Sequence, residues 1–436
     1  MKTLHLGQLA HLRENPFQED TALQVIAKGA LVSDETGKLV AVGEAQAMIT
    51  VWPDAQVVDH GDAWLIPGLI DGHIHFPQFY ATAASANHLL DWLNIIFPAE
   101  ATYAEPDFAT QTAQAFTARL LASGTTTAMV FGSQFPAATR ALFRAARTAG
   151  LRLIAGMTLM DRDAPESLFT SAETAYAENK ALIDWVENEP LLDYAITPRF
   201  GLSCTDALLD VCRALVKDHP NCWLQTHINE NSDEIETTAR LFPQSRHYLD
   251  IYATWGLLTP RTVLAHNIHA GEDELRELAD LGCSVVHCPN SNMFLGSGLF
   301  PMARHLEQGI PLMVGTDVGG GTGFSMLEEL AATYKVQQLQ QNRLNAAQLL
   351  YLGTLGAARA LHMDDRIGNF VAGKQADFLV FAPRTDSYLA QRLNFCQTDE
   401  ERLFALILLG RSQHIRATYV AGQCVHQRPR SLPVPH

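Results

Sequence analysis

Cysteine is scarce and without pattern. The seven residues Cys204, Cys212, Cys222, Cys283, Cys288, Cys396 and Cys424 are odd in number and form no C-x-x-C pair. Such usage excludes a disulfide framework and an all-cysteine zinc site, and it fits reduced thiols in a cytosol. No cysteine is given a functional role. Basic charge is also in short supply: 31 Lys+Arg stand against 47 Asp+Glu, a formal net charge of −16, and no run is rich in Lys or Arg. Nucleic acids and anionic membranes are held by basic patches, so neither partner is expected. Long apolar runs are missing as well. The first segment, MKTLHLGQLAHLRENPFQED, is broken by polar residues and reads as neither a signal peptide nor a membrane span. There is no solenoid-type repeat and no low-complexity tract; the Pro-rich tail at 428–436 is expected to fray.

What is present is a globular balance of 47% hydrophobic and 18% charged residues in a chain of 436. That length holds a barrel of about 250 residues with an accessory part. A soluble enzyme acting on a small molecule is the starting expectation. Eight apolar, β-branched runs follow one another: Trp64–His75, Thr125–Gly132, Leu151–Asp161, Tyr194–Phe200, Trp223–Glu230, Thr262–His269, Cys283–Asn290 and Pro311–Val318. Helix-like stretches lie between them, among them Asp107–Ala122, Ala137–Ala149, Asp206–Asp218 and Gly271–Leu281. Alternation of this kind predicts a parallel α/β sheet, and eight units predict a closed (β/α)8 TIM barrel rather than an open doubly wound sheet. The flanks Ala27–Val42, Ile367–Phe381 and His414–Val425 carry short strand-like runs between Gly and Asp turns, which suggests one small β domain built from both termini.

In such a barrel the carboxyl ends of the strands face the active-site mouth. The first run closes on His73-Ile-His75, the fifth on His227 with Glu230 three residues later, the sixth on His266 and the eighth on Asp317. Alternation puts residues i and i+2 on one face of a strand, so His73 and His75 can converge on one ion. An H-x-H pair alone is a weak signal, a lone His at a strand end is commonly a core residue, and a lone Asp is commonly a helix cap. Their coincidence at several strand ends is what points to a metal. Three imidazoles and one carboxylate suit a borderline cation such as zinc.

The segments PGLIDGHIH (67–75) and GTD (315–317), with the histidines between them, closely resemble the amidohydrolase superfamily of metal-dependent hydrolases. The run from Gly368 to Phe378 is similar to that superfamily's return into a small β-sandwich. HIHFPQ (73–78), LLDWL (89–93), FPAE (97–100), TPRF (197–200), THINEN (226–231), CPNSN (288–292) and GTDVGGG (315–321) resemble, more narrowly, its branch that deaminates guanine. The likeness spans about residues 60 to 380 and implies a barrel over 66–366 with a β-sandwich from 1–65 and 367–436. It also implies one Zn2+ per chain, or Fe2+, held by His73, His75, His227 and Asp317. No Lys or Glu ends the third or fourth strand to bridge a second ion. Glu230, His266 and Asp317 would be catalytic. A small-molecule purine base would be bound by His75, Gln78, Arg199, Phe200, His227, Glu230 and Asp317, with Trp92 as either an apolar wall or core packing. Arg199 has an alternative as half of a structural ion pair. A cytoplasmic homodimer completes the expectation. A related mononuclear enzyme acting on 8-oxoguanine, an adenine derivative or a triazine is the rival; a scaffold without activity would have lost these ligands. The Gly319–Gly321 run lacks the Lys-Ser/Thr of a phosphate loop and is expected to be flexible. The other zinc deaminase pattern, H-x-E with P-C-x-x-C, is not found.

Overall fold

The computed structural model describes residues 1–86, 88–385 and 387–428; the expected fraying of the tail falls on 429–436, outside them. Eight parallel strands follow one another in chain order in one sheet: Leu69–His75, Thr125–Phe131, Arg152–Gly156, Leu192–Pro198, Trp223–Ile228, Thr262–His266, Ser284–His287 and Leu312–Val314; a short ninth, Thr158–Leu159, continues the third run and pairs with Leu192–Pro198. Helices lie between them, including Pro106–Ala122, Pro136–Ala149, Asp206–Asp218 and Glu272–Leu281, close to the ranges expected from periodicity. The strands read as near-continuous apolar runs because helices cover the outer face while the inner face fills the barrel. One residue from each strand joins a single buried cluster inside the barrel: Ile70, Met129, Ile154, Ala195, Trp223, Val263, Val286 and Met313. Ala357, Leu361 and Met363 join that cluster from the chain after the eighth strand.

The first apolar run, expected as one strand, serves two sheets. Trp64–Pro67 pairs antiparallel with Phe378–Phe381, and the barrel strand begins only at Leu69. Gly68 is the crossing point, where an added Cβ would lie 2.1 Å from Thr126 Oγ1. A second irregularity follows within the first barrel strand. Asp71 pairs with Ala128 and Ile74 with Val130, so three residues on one strand span two on its neighbour. Such a bulge reverses the phase of the side chains beyond it. Counting from Ile70, strict alternation would turn His73 and His75 outward; the bulge turns them in.

The termini form a seven-stranded sheet in the order 423–427, 415–420, 378–381, 56–67, 3–12, 23–33 and 39–44. All its pairs are antiparallel except that between Thr3–Leu12 and Gln56–Pro67. The carboxyl-terminal flank is not all strand, however. Tyr388–Asn394 and Asp399–Leu409 are helices, and the second packs on the barrel helices Met326–Leu339 and Ala346–Gly353. Thr398 caps it by accepting from the Glu401 backbone N–H, and Asp399, Glu400 and Glu401 complement its positive end. Among the described residues no helix is long and apolar enough to cross a membrane.

One buried ion pair ties the barrel to the terminal sheet. Arg152, at the start of the third strand, donates to Asp377 Oδ2 at 3.0 Å and also bonds Gln375, while Asp377 Oδ1 accepts from the Ala421 backbone. Both side chains of the pair are 2% exposed. Removing one member leaves the other charge uncompensated. Arg152→Met should therefore lower the stability measured by chemical denaturation by about 3–5 kcal/mol; a loss below about 1 kcal/mol would show that the pair does not hold the two parts together.

Candidate active site

The barrel mouth gathers four side chains, three from the ends of two strands and one from the turn after the eighth. His75 Nε2 lies 3.1 Å from His227 Nε2, and Asp317 Oδ1 lies 3.2 Å from His73 Nε2 and 3.3 Å from His75 Nε2. One ligand atom from each of His73, His75, His227 and Asp317 falls within 4.8 Å of all the others. All four are buried, and the buried Nε2 of His73 has no hydrogen-bond partner. His227 Nδ1 donates to the Arg199 carbonyl at 2.6 Å, which leaves its Nε2 lone pair facing the cluster. Burial pushes His75 down to about 4 and, with repulsion from His73 and His75, holds His227 well below the imidazole range. Burial opposes ionisation of Asp317, but the adjacent His73 and His75 outweigh it and keep the carboxyl well below its ordinary value. Unprotonated His75 and His227, an ionised Asp317 and the orphaned buried Nε2 of His73 are a donor set that fits a divalent cation.

A second group stands beside them. His266 Nε2 is 3.5 Å from Glu230 Oε2 and 3.8 Å from Asp317 Oδ2, and its Nδ1 donates to Asn292 Oδ1 at 2.9 Å. Glu230 accepts from Ser297 Oγ at 3.3 Å. Burial and the nearby Asp317 charge push its carboxyl up to about 8, so it carries a proton at neutral pH. The backbone is held firmly here: Glu234 accepts the N–H groups of Glu230 and Asn231 at 3.0 and 3.3 Å. Asn229, His266, Asn267 and Asp317 all adopt left-handed backbone, with φ of 51°, 72°, 49° and 47°. Non-glycine residues in that region store strain, and here they cluster at the strand ends that carry the polar groups.

The cavity above the cluster is lined by Gln78, Leu89, Trp92, Leu93, Arg199, Phe200 and Leu295, with His75, His227, Glu230, His266 and Asp317. Trp92 belongs to both expectations. It packs with Leu89, Leu93 and Ile96, yet it also lines the cavity, where its buried Nε1 has no partner. Arg199 is likewise both a cavity residue and half of an ion pair. Its partner is Glu100, fully buried at the end of the helix Leu89–Ala101. Burial opposes the Glu100 charge, but Arg199 and Gln78 overcome it and lower its pKa. Glu100 had no assigned role in sequence, although its segment FPAE did stand out. Asp71 is a second such residue, accepting from Thr316 N at 3.0 Å, Thr316 Oγ1 at 2.6 Å and His73 N at 3.3 Å. Cys288 also approaches His73, His266 and Asp317. Burial and the nearby carboxylates hold its thiol well above the ordinary range, which disfavours the thiolate that a metal needs.

The glycine run departs from expectation. An added Cβ at Gly319 would lie 1.8 Å from Gln78 Oε1, and one at Gly321 would lie 1.8 Å from the Thr316 carbonyl. Close approach, together with φ of 121° at Gly319, requires glycine there. Flexibility is not the reason.

A parallel barrel whose mouth gathers three imidazoles and a carboxylate is the architecture of metal-dependent hydrolases, and the amidohydrolase family model matches residues 64–425. The chain belongs to the amidohydrolase family. It is 43% identical to the probable guanine deaminase of Deinococcus radiodurans over 98% of this chain and 99% of that protein. The solved structure of guanine deaminase from E. coli superposes with a TM-score of 0.95 at 38% identity, covering 98% of this chain and 100% of the other. Guanine deaminase from C. acetobutylicum, solved with guanine bound in its active site, gives a TM-score of 0.90 at 26% identity, over 98% and 100% of the two chains.

Gly319→Ala should displace Gln78 and lower kcat/KM by about 10- to 100-fold, the equivalent of about 1–3 kcal/mol of backbone and contact strain. Metal content by elemental analysis should stay at the parent level. Parent-like kcat/KM would show that the run tolerates a side chain.

Proposed function

We propose that this chain hydrolyses guanine to xanthine and ammonia, with one Zn2+ or Fe2+ held by His73, His75, His227 and Asp317. The observation that carries the proposal is the convergence of that ligand set with a protonated, buried Glu230, under a cavity whose polar walls are Gln78 and Arg199. Its near full-length relatives named as guanine deaminases support the choice of base.

When bound, the cation supplies Lewis acidity that makes water a nucleophile near neutral pH. Asp317 and His266 flank the attacking water and accept its proton. Asn292 holds His266 so that Nε2, rather than Nδ1, faces the reaction. The water oxygen adds to C2 of the base, and Glu230 gives its proton to the neighbouring ring nitrogen, where the electron pair arrives. The C2–N bond then breaks, the amine leaves as ammonia with protons returned through Glu230 and His266, and the ring keeps a carbonyl. Arg199 donates to the C6 carbonyl, Gln78 bonds the ring edge, and Phe200 walls the pocket, while His75, His227 and Asp317 lie under the reacting carbon. A homodimer and a cytoplasmic location belong to the same proposal. The first follows from the superfamily resemblance and the second from seven free thiols.

Release of ammonia from guanine, 8-oxoguanine, adenine, cytosine and a triazine, measured side by side, should rank guanine among the best substrates. If it does not, the choice of base fails while the family membership stands. Glu230→Gln should keep one metal ion per chain yet lose about 10²–10⁴-fold in kcat. Near-normal kcat in that variant would remove Glu230 from the proton transfers.

A further inference from the structure

Glu100 lies outside the ligand cluster and the attacking groups, yet it is a fully buried charge with every acceptor site in use. Oε1 accepts from Gln78 Nε2 at 2.9 Å and Arg199 Nη1 at 3.0 Å; Oε2 accepts from Arg199 Nη1 at 2.8 Å and Gln134 Nε2 at 2.7 Å. An ionised carboxylate can only accept, so the amide of Gln78 must turn its NH2 to Glu100. Its carbonyl Oε1 is thereby turned away from Glu100 and lies against Gly319, buried and without a partner, on a side chain that lines the cavity. The reversed amide would set two oxygens against each other in a low-dielectric site, which is why the orientation is chemical rather than incidental. Arg199 gives Glu100 only Nη1, and it too lines the cavity, stacked over the Phe97 ring at 5.3 Å. Both side chains bond the same carboxylate oxygen and both line the cavity, so an amide whose free polar atom is an acceptor and a cationic donor are neighbours there.

We propose that Glu100 is the positioning residue for base selection: by fixing Gln78 as an acceptor beside Arg199 as a donor, it selects a ring edge on which an N–H adjoins a carbonyl. This rests on the purine assignment above and adds polarity to it. A 6-oxopurine carries N–H beside C=O on its six-membered ring, whereas a 6-aminopurine presents a bare ring nitrogen beside an amine. The 6-aminopurine therefore opposes both groups, and a site built to pair a polar edge rejects the analogue that leaves it unpaired.

The experiment compares the metal-loaded parent with Glu100→Gln and Glu100→Asp. It reads equilibrium binding of hypoxanthine, which has the oxo edge, and of unsubstituted purine, which lacks it, with kcat and KM for guanine and the thermal midpoint alongside. In Glu100→Gln the neutral amide no longer dictates the Gln78 orientation. Hypoxanthine binding should weaken by about 10- to 100-fold, the worth of one charge-assisted hydrogen bond, and purine binding by less than about 3-fold. The guanine defect should appear mainly in KM. Glu100→Asp keeps the countercharge for Arg199 and should show the same selectivity change in smaller measure. Equal weakening of both ligands, or no change in either, overturns the proposal, since a purely structural role moves them together. Should Glu100→Gln not fold, an unchanged hypoxanthine-to-purine ratio in Glu100→Asp overturns it instead. Absence of guanine turnover in the parent would sink the functional proposal above, and the binding ratio would still decide the role of Glu100.

Discussion

The seam between the first and eighth barrel strands is the constraint on which the active site depends. A parallel barrel has to close, and here the last strand, Leu312–Val314, is only three residues long. Asp71 compensates by binding Thr316 through both its backbone N–H and its hydroxyl, and the Asp317 N–H donates to the His73 carbonyl at 2.8 Å. These bonds set His73 and His75 on one side of the joint and Asp317 on the other at a fixed distance. Burial raises the Asp71 carboxyl to about 6 despite its donors, a cost accepted because the seam has few ladder bonds of its own.

Around that seam, buried carboxylates divide the electrostatic work by surroundings alone. Asp317 sits among imidazoles and stays ionised; Glu230, a neighbour of that charge with a weak serine donor, stays protonated. Glu100, with a guanidinium and two amides upon it, is a fixed anion. Environments that push like groups apart are how one site carries both an acid and a base near neutrality. None of these states follows from residue type.

Much of the fold was legible because local signals and tertiary demands agreed. The helix Asp206–Asp218 begins after a Thr205 cap and runs to its expected end, and the strand Thr125–Phe131 is a fully buried run rich in β-branched residues. The departures have distinct causes. Trp64–His75 reads as one strand because apolar character continues through Gly68, where only the pairing partner changes. The helix Asp399–Leu409 was hidden in a flank read from its Gly and Asp turns. Its apolar residues meet barrel helices rather than the terminal sheet. In the site, His73, His75, His227, His266, Glu230 and Asp317 were visible because each closes a strand or follows one closely. Glu100 and Asn292 sit on helices, where polar residues are usual, and Asp71 lies inside an apolar run with no distinguishing periodicity.

The one-dimensional chain by itself determined the eight-unit alternation, the absence of a C-x-x-C pair and of any Lys/Arg-rich run, and which residue types meet at the barrel mouth. Those properties depend on composition and on short-range spacing, and short-range spacing survives folding unchanged. Only the tertiary structure decided the inward phase of His73 and His75, through a bulge that pattern counting does not see. It also decided which carboxylate is charged, and that the amide of Gln78 turns its NH2 to Glu100. Protonation and amide orientation depend on what lies within a few ångströms in space, and Glu100 and Arg199 come that close only across 99 residues of chain.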